Sequence, residues 1–358
     1  MKLLFFITGL NKSGAETQIY NLISGLSLKK NVKIRVISLT TGYYEEKLKK
    51  LGVEVRVCEG KLNYNIFKYI SFFKHEVSDF KPDIVHSFLF HTNIISKVSL
   101  YFMEKNFKLI CSYRDKISNH YWIKHLEKFN KNKVDLLISN SIQANLELNY
   151  LNSNENKRKV ISNGFKSKKV NISKVQKIKK KYQGKKIILT IGRLEEQKDY
   201  LTNIKTCYEL SKMRSDFVFL YVGVGSLRKK LESEVIKYNL EKFIIFLGFQ
   251  NETLELINSA DVFFLPTLHE SQSNVFIEAM NQALPIVTTN IQENIDVVKN
   301  GIFCNVGDYN FMAEKIFEIL NSGYNKKLLL ENKKFVSKEF SYENMIKKYY
   351  KVYTIILR

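Results

Sequence analysis

Asp261-Val-Phe-Phe-Leu265-Pro-Thr-Leu-His-Glu270-Ser-Gln-Ser-Asn274-Val-Phe-Ile-Glu278-Ala-Met-Asn-Gln-Ala283-Leu-Pro285-Ile-Val-Thr288 reads as a strand, a loop, a helix and a second strand. The runs 261–265 and 285–288 are short and, apart from Asp261 and Thr288 at their ends, apolar, the pattern of strands buried on both faces of a parallel sheet. Asn274 or Ser273 can cap the helix between them, Val275, Phe276 and Ala279 would face the sheet, and Pro285 marks the exit. Glu270 then stands in the loop after a strand, and Glu278 about one turn into the helix. Both acids border the carboxyl ends of the strands, where open α/β sheets bind ligands.

The same alternation extends in both directions. Strands are predicted at 3–8, 33–38, 54–57, 83–86, 108–111, 136–139 and 160–162, with helical patterns at 44–50, 66–79, after Thr92 and from Ser141. A second series follows at 187–191, 217–222, 244–247, 262–265, 286–288 and 302–305, then helices at 311–320, 326–336 and 342–353. Repeated strand-helix alternation predicts doubly wound parallel sheets, and 358 residues exceed what one core usually holds. Residues 157–186 hold many Lys and Arg and neither Asp nor Glu. The expected division is therefore a first domain over 1–165, a basic linker over 166–183, and a second domain over 184–340. The last helix, about 341–358, would cross back onto the first.

The totals narrow the class. An apolar share of 45% with 13% aromatic residues excludes disorder. Cys58, Cys111, Cys207 and Cys304 are scattered with no metal-ligand spacing, which predicts buried thiols in a reducing compartment, without disulfide or zinc. The apolar run after Met1-Lys2 is too short for a signal peptide's core and leads straight into a helical pattern, so it reads as a first strand. No run approaches the ~18 apolar residues of a membrane span, and a cytoplasmic protein is expected. The formal charge of +22 implies attraction to an anionic surface, whether nucleic acid, membrane or phosphorylated substrate, unless it is only a compositional habit.

Several loops have phosphate-binding character. Gly9 to Gly14 leads from the first strand into a helix near Ala15, with Glu16 in its first turn; small residues there let backbone N–H groups approach an anion, and a plain turn fits equally. Arg193 and Lys198 stand on the loop after the second domain's first strand, where a forked and a point cation could neutralise a diphosphate. Gly223-Val-Gly225-Ser226 permits a tight strand-to-helix turn, and the backbone of Gly248-Phe249-Gln250 could approach a flat ring.

Taken together, Gly192-Arg193-Leu194 with Lys198, Gly223 with Gly225, Gly248, and Glu270-x7-Glu278 followed by Ala283-Leu-Pro285 form an ordered set. The chain resembles the retaining glycosyltransferases of family 4, which have the GT-B fold of two Rossmann-like domains facing a cleft. Ser13-Gly14-Ala15-Glu16 is similar to that family's GGAE loop, Pro82-Asp83-Ile-Val-His86 to its PDxxH strand, and Asn163-Gly164 to its NGV element. The resemblance implies that Arg193 and Lys198 hold the diphosphate of a nucleotide sugar and that Glu278 accepts hydrogen bonds from the ribose hydroxyls. It further implies that Glu270 holds donor-sugar hydroxyls and that the amides of Ser273, Asn274 and Val275 add to the anion site. Phe249 and Gln250 would lie near the base, Gly223 would line the donor site, and Gly14 would close it from the first domain.

Departures from the family pattern are also visible. Family members often carry a second histidine two places after that of PDxxH, but Phe88 stands there, leaving His91 or His86 for that role. Ser13 and Ala283 each stand where glycine is usual, and the segment 290–301 is short. No acidic motif is placed as a metal ligand and no cofactor is expected, so Arg193 and Lys198 would replace a cation. The paired acids would not be hydrolase nucleophiles. Lys68 to Lys74 and His120 to Lys131 mix aromatic and basic residues, as segments lying on a membrane surface do, or as partly buried helices do. The expectation is a hexosyl- or N-acetylhexosaminyltransferase that takes its sugar from a nucleotide sugar, a UDP-sugar, and acts on a lipid-linked or polysaccharide acceptor of an O-antigen, capsule or lipopolysaccharide. It would be cytoplasmic or peripheral on the inner face of the plasma membrane. The alternatives are a nucleotide-sugar epimerase of the same fold and a basic nucleic-acid-binding protein, for which no recognised motif is present.

Overall fold

The computed structural model describes residues 1–58, 65–114, 121–152, 154–166 and 169–358, with backbone alone for 121–124. The first stretch of chain gives β1 (Lys2–Ile7), α1 (Gly14–Leu26), β2 (Lys33–Ser38), α2 (Glu45–Lys49), β3 (Glu54–Val57), α3 (Ile66–Phe80) and β4 (Ile84–Phe88). It continues with α4 (Phe90–Ser99), β5 (Lys108–Tyr113), α5 (Tyr121–Lys128), β6 (Leu136–Ser139), α6 (Ile142–Glu147) and β7 (Arg158–Val160). Next come α7 (Ile172–Lys181), β8 (Lys186–Ile191), α8 (Tyr200–Met213), β9 (Phe217–Val222), α9 (Arg228–Lys237), β10 (Ile244–Gly248), α10 (Thr253–Ser259) and β11 (Val262–Leu265). The chain ends in α11 (Asn274–Asn281), β12 (Ile286–Thr289), α12 (Gln292–Val297), β13 (Ile302–Cys304), α13 (Tyr309–Ser322), α14 (Lys326–Glu339) and α15 (Tyr342–Ile356). These elements form two units, Met1–Lys166 with Ser341–Arg358, and Ser167–Phe340.

Each unit is a Rossmann-like parallel sheet with helices on its faces. In the first, the strand order is β3-β2-β1-β4-β5-β6-β7. Alternate residues of β1 feed two cores because successive side chains point to opposite faces. Leu3, Phe5 and Ile7 pack with Leu22 and Ile23 of α1 and Tyr349 and Tyr353 of α15. Leu4 and Phe6 pack with Phe73 and Val77 of α3. In the second unit the order is β10-β9-β8-β11-β12-β13, with Phe263 opposite Ile286 and Val262 opposite Ile188. The order turns at β1/β4 in one sheet and at β8/β11 in the other, the switch points that open a crevice at the strands' carboxyl ends.

Several expectations need adjustment. Residues 166–183 are not a plain linker: Ser167 onward belongs to the second unit, and α7, capped by the Asn171 side chain, buries Val175 and pairs Lys174 with Glu252. Within 68–74, Tyr69, Ile70 and Phe73 are buried, because the apolar stripe of α3 faces the sheet core; that stretch is a core helix, not a membrane-lying one. In 120–131, His120 lies outside the described residues, Glu127 is wholly buried beside Lys97, and Leu126 and Phe129 are exposed. All four cysteines are buried free thiols. Among the described residues no helix is long and apolar enough to cross a membrane.

Candidate functional site

The loops after β8 and β11 flank the second unit's switch point, and they are tied to each other. Leu268 N–H donates to the Gln197 carbonyl at 2.9 Å, and Gln197 Nε2 to the His269 carbonyl at 2.8 Å. The Thr267 hydroxyl lies 2.9 Å from the Gln197 carbonyl and 3.2 Å from Glu270 Oε1. Across this seam Lys198 Nζ forms an ion pair with Glu270 Oε1, their side chains only 11% and 8% exposed. Little solvent screens a pair so placed, and removing either partner would strand a charge.

The loop after β8 is held from beneath by a buried polar ladder. Thr190 Oγ1 donates to the Phe264 carbonyl at 2.7 Å, Asn203 Nδ2 to Thr190 Oγ1 at 2.9 Å, and Tyr221 OH to Asn203 Oδ1 at 2.7 Å. Tyr200 OH donates to the Gly192 carbonyl at 3.0 Å. From the side, Gly192 N–H bonds the Val222 carbonyl and Leu194 N–H the Val224 carbonyl. That lacing explains the glycines after β9: a Cβ on Gly223, at φ +140°, would meet the Gly192 oxygen at 1.9 Å, and one on Gly225 the Leu194 backbone at 2.4 Å. Gly223 N–H also reaches the Gly248 carbonyl at 2.9 Å, which joins a third loop to the set.

Arg193 is exposed at the rim of this arrangement. Beside it Glu195 accepts from the Ser226 amide at 2.9 Å and hydroxyl at 2.8 Å. Those donors, with Arg193 adding its charge, hold the Glu195 carboxyl below the usual range. Ser273 is the N-cap of α11, and its side chain makes no capping bond. Asn274, Val275 and Glu278 are half-buried, while Phe276, Ile277, Ala279 and Met280 face the interior; the sheet-facing set is thus shifted from Val275 to Ile277. Phe249 is 56% exposed, and Gln250 Nε2 folds back onto the Leu247 carbonyl at 2.7 Å.

Thus Arg193, Lys198, Gly223, Glu270, Ser273, Asn274, Val275 and Glu278 share one edge of one sheet, with Phe249 and Gln250 on the neighbouring loop. Gln197, Thr267, Glu195 and Ser226 also belong there. Sequence reading missed them, since each matters through a partner on a loop distant in sequence. Among the described residues, no three His, Cys, Asp or Glu side chains converge as a metal site.

Gly14 and His91 belong to the first unit, at the carboxyl ends of β1 and β4. Gly14 opens α1 and is exposed, and His91 is exposed on the first turn of α4. His86 is buried, its ring nitrogens 2.7 Å from Tyr353 OH and 2.7 Å from Ser112 Oγ, and burial, aided by Arg114, lowers its pKa well below the ordinary value. It is a packed histidine. Phe88 is wholly buried, 5.8 Å from Phe5 and 3.9 Å from His86 between ring centroids.

Comparison with known proteins follows the same two-part division. Residues 12–169 match Glycosyltransferase Family 4, and residues 171–335 match Glycosyl transferases group 1. An uncharacterized glycosyltransferase of Methanocaldococcus jannaschii is 29% identical over 58% of this chain and 56% of its own length. A 2-deoxystreptamine N-acetyl-D-glucosaminyltransferase of Niallia circulans is 28% identical over 41% of this chain and 39% of its own. The match therefore spans about half or less of those two relatives. The N-acetylgalactosamine-N,N'-diacetylbacillosaminyl-diphospho-undecaprenol 4-alpha-N-acetylgalactosaminyltransferase of Campylobacter jejuni is 24% identical over 80% of each chain. Among solved structures, Anabaena HepE in complex with UDP and glucose superposes with a TM-score of 0.85 at 17% identity, covering 99% of this chain and 100% of that one.

Proposed function

We propose, because the chain belongs to family 4 of the glycosyltransferases, that it is a retaining, metal-independent transferase moving a hexose or N-acetylhexosamine from a UDP-sugar to a lipid-linked or polysaccharide acceptor of a cell-surface glycan. The observation that carries this reading is the nearly buried Lys198–Glu270 pair at the β8/β11 switch point, with Arg193 at its rim. Lys198 resting on Glu270 is a charge already in position for an anion. When a diphosphate arrives, Lys198 and Arg193 take its oxygens, and Glu270 turns to accept hydrogen bonds from the donor sugar's hydroxyls. Glu278 reads the ribose, the Ser273, Asn274 and Val275 amides add to the anion site, and Gly223, Phe249 and Gln250 line the approach of phosphate and base. His91 and Gly14 serve from the first unit, on the acceptor's side.

In a retaining transfer the acceptor attacks the face from which the diphosphate leaves. The dominant catalytic contribution is then stabilisation of the leaving charge by groups fixed beforehand, the part assigned to Arg193 and Lys198. The donor class draws support from the neighbour seen with UDP and glucose, and the acceptor class from relatives whose names specify diphospho-undecaprenol-linked sugars. A carrier of that kind would bring the enzyme to the inner face of the plasma membrane.

The decisive measurement is thermal unfolding of the full chain with UDP, GDP and ADP. UDP should raise the midpoint, since a ligand at 100 times its Kd adds about 2.7 kcal/mol, and Arg193→Ala should abolish most of the shift. Indifference to all three nucleotides would sink the reading. Product mass with a panel of UDP-sugars then identifies the sugar.

A further inference from the structure

The first unit contains a buried cation that has no carboxylate partner among the described residues. Arg114 follows β5 and is 9% exposed. Its Nη1 donates to Asn163 Oδ1 at 2.6 Å and its Nη2 to Tyr349 OH at 3.1 Å, while the guanidinium lies 5.6 Å from the centroid of the Phe88 ring. Among the described residues no acid pairs with it, and its Nε is buried without an acceptor. The unit's other buried cations each have an acid: Arg35 binds Glu54, Glu76 and Asp79, Lys97 binds Glu127, and Arg158 lies 3.8 Å from exposed Glu155. A buried, always-charged guanidinium without a counter-ion is costly. Its uncompensated field is felt by its neighbours, contributing to the depressed pKa of His86.

The position of Arg114 says what could supply the missing charge. It lies at the carboxyl end of the sheet, one strand from the β1/β4 switch point. Beside it, Leu89 N–H bonds the Ser112 carbonyl, and Leu89 adopts φ 73°, ψ 167° to start α4 there. That backbone region is almost confined to glycine, so the start of α4 is held under strain. The ten-residue helix adds the positive end of its dipole to the same edge. Among the described residues two of the five guanidinium N–H donors are engaged; Nε–H is enclosed by protein, and one N–H on each Nη is left for oxyanion oxygens.

We infer that Arg114 is a binding residue for the phosphate of the acceptor, the diphosphate that links the acceptor sugar to its lipid carrier. This rests on the transferase reading above and adds to it a residue, on the first unit, that distinguishes a lipid-diphosphate acceptor from a neutral glycan. The donor's diphosphate is already matched by Arg193 and Lys198 on the other unit. Asn163 and Tyr349 orient the guanidinium, and the Phe88 ring supports it, so at position 88 an aromatic face serves where family members often carry histidine.

Isothermal titration of the full chain, with UDP saturating so that the donor site is filled, tests this with farnesyl diphosphate, farnesol and inorganic pyrophosphate. Farnesyl diphosphate should bind and farnesol should not, and Arg114→Gln should weaken binding at least tenfold, with Arg114→Lys intermediate. The midpoint shift with UDP should be unchanged in both variants. If Arg114→Gln fails to fold, Arg114→Lys and Tyr349→Phe carry the test: a purely structural arginine predicts that both lose stability without loss of diphosphate affinity, and that result overturns the inference. Unchanged affinity in a folded Arg114→Gln overturns it as well. Equal affinity for pyrophosphate and farnesyl diphosphate would overturn the lipid-linked source. If wild type ignores farnesyl diphosphate yet responds to UDP, the inference falls while the transferase reading stands.

Discussion

Ala283 shows how one residue can be recognised in the sequence and explained only by the backbone. It stands where the family pattern has glycine, and it closes α11 at φ +54°. Ala283 N–H bonds the Met280 carbonyl and Leu284 N–H the Ala279 carbonyl, the helix-ending turn in which the residue past the cap is left-handed. An alanine there pays about 1–2 kcal/mol that glycine does not, offset in part by glycine's greater freedom in the unfolded chain. Ala283→Gly should therefore stabilise the protein by about 0.5–1 kcal/mol in urea denaturation; a loss of stability would show that the Cβ packs usefully. Residue types and spacing made Arg193, Lys198, Glu270 and Glu278 legible as a group, because strand-end loops are where charge collects. That Lys198 rests on Glu270 was not legible. It depends on β8 and β11 being neighbours, which is a property of strand order.

Among the elements, α15 contributes most to the first unit from farthest away in sequence. A long terminal helix crossing back was readable from its apolar period, but its polar anchors were not. Tyr353 OH meets His86, Tyr349 OH meets Arg114, and Tyr342 OH lies 2.8 Å from Ser24 Oγ of α1. The His86 contact has a pH signature. Burial and the Arg114 charge hold the folded pKa of His86 well below the ordinary value near 6.5, so between these two values the unfolded chain binds a proton that the folded chain refuses. Stability from this group is therefore complete above about pH 6.5 and falls as pH drops below it, by at most about 1.4 kcal/mol per unit. Comparing urea midpoints at pH 7.5 and 5.5, wild type should lose about 1 kcal/mol more than His86→Gln, which cannot titrate. Equal losses would mean that His86 takes up its proton in the folded protein as it does in the unfolded chain. The same contacts explain why the PDxxH histidine invited a catalytic reading: its strand does end at the ligand edge, but its ring points inward, onto the last helix.

The charge of the whole molecule is unevenly divided, which bears on whether the basic excess is merely compositional. The first unit has 31 Lys and Arg against 15 Asp and Glu, net +16, whereas the second has 26 against 20, net +6. Two units of similar size drawn from one compositional habit should share the excess; instead it gathers on the unit proposed to meet the acceptor. Sequence windows suggested a membrane face at 68–74, and burial of Tyr69, Ile70 and Phe73 rules that stretch out. A better match lies where the ends of α4 and α5 meet. Asn130 Nδ2 donates to the Lys97 carbonyl at 2.8 Å and Lys133 Nζ to the Leu100 carbonyl at 3.1 Å, which ties the segment carrying exposed Phe129 and Lys131 to the end of α4, followed by exposed Tyr101 and Phe102. Aromatic rings amid lysines suit an anionic lipid surface, where each Lys contributes about 1 kcal/mol. Vesicles of phosphatidylglycerol with phosphatidylcholine should carry the protein in flotation, vesicles of phosphatidylcholine alone should not, and raised salt should release it, because screening acts on exposed charges. Lys131→Glu and the pair Tyr101→Ser with Phe102→Ser should each weaken flotation while leaving the midpoint shift with UDP intact. Flotation indifferent to lipid charge, or unaltered by these substitutions, would return the basic excess of the first unit to composition alone.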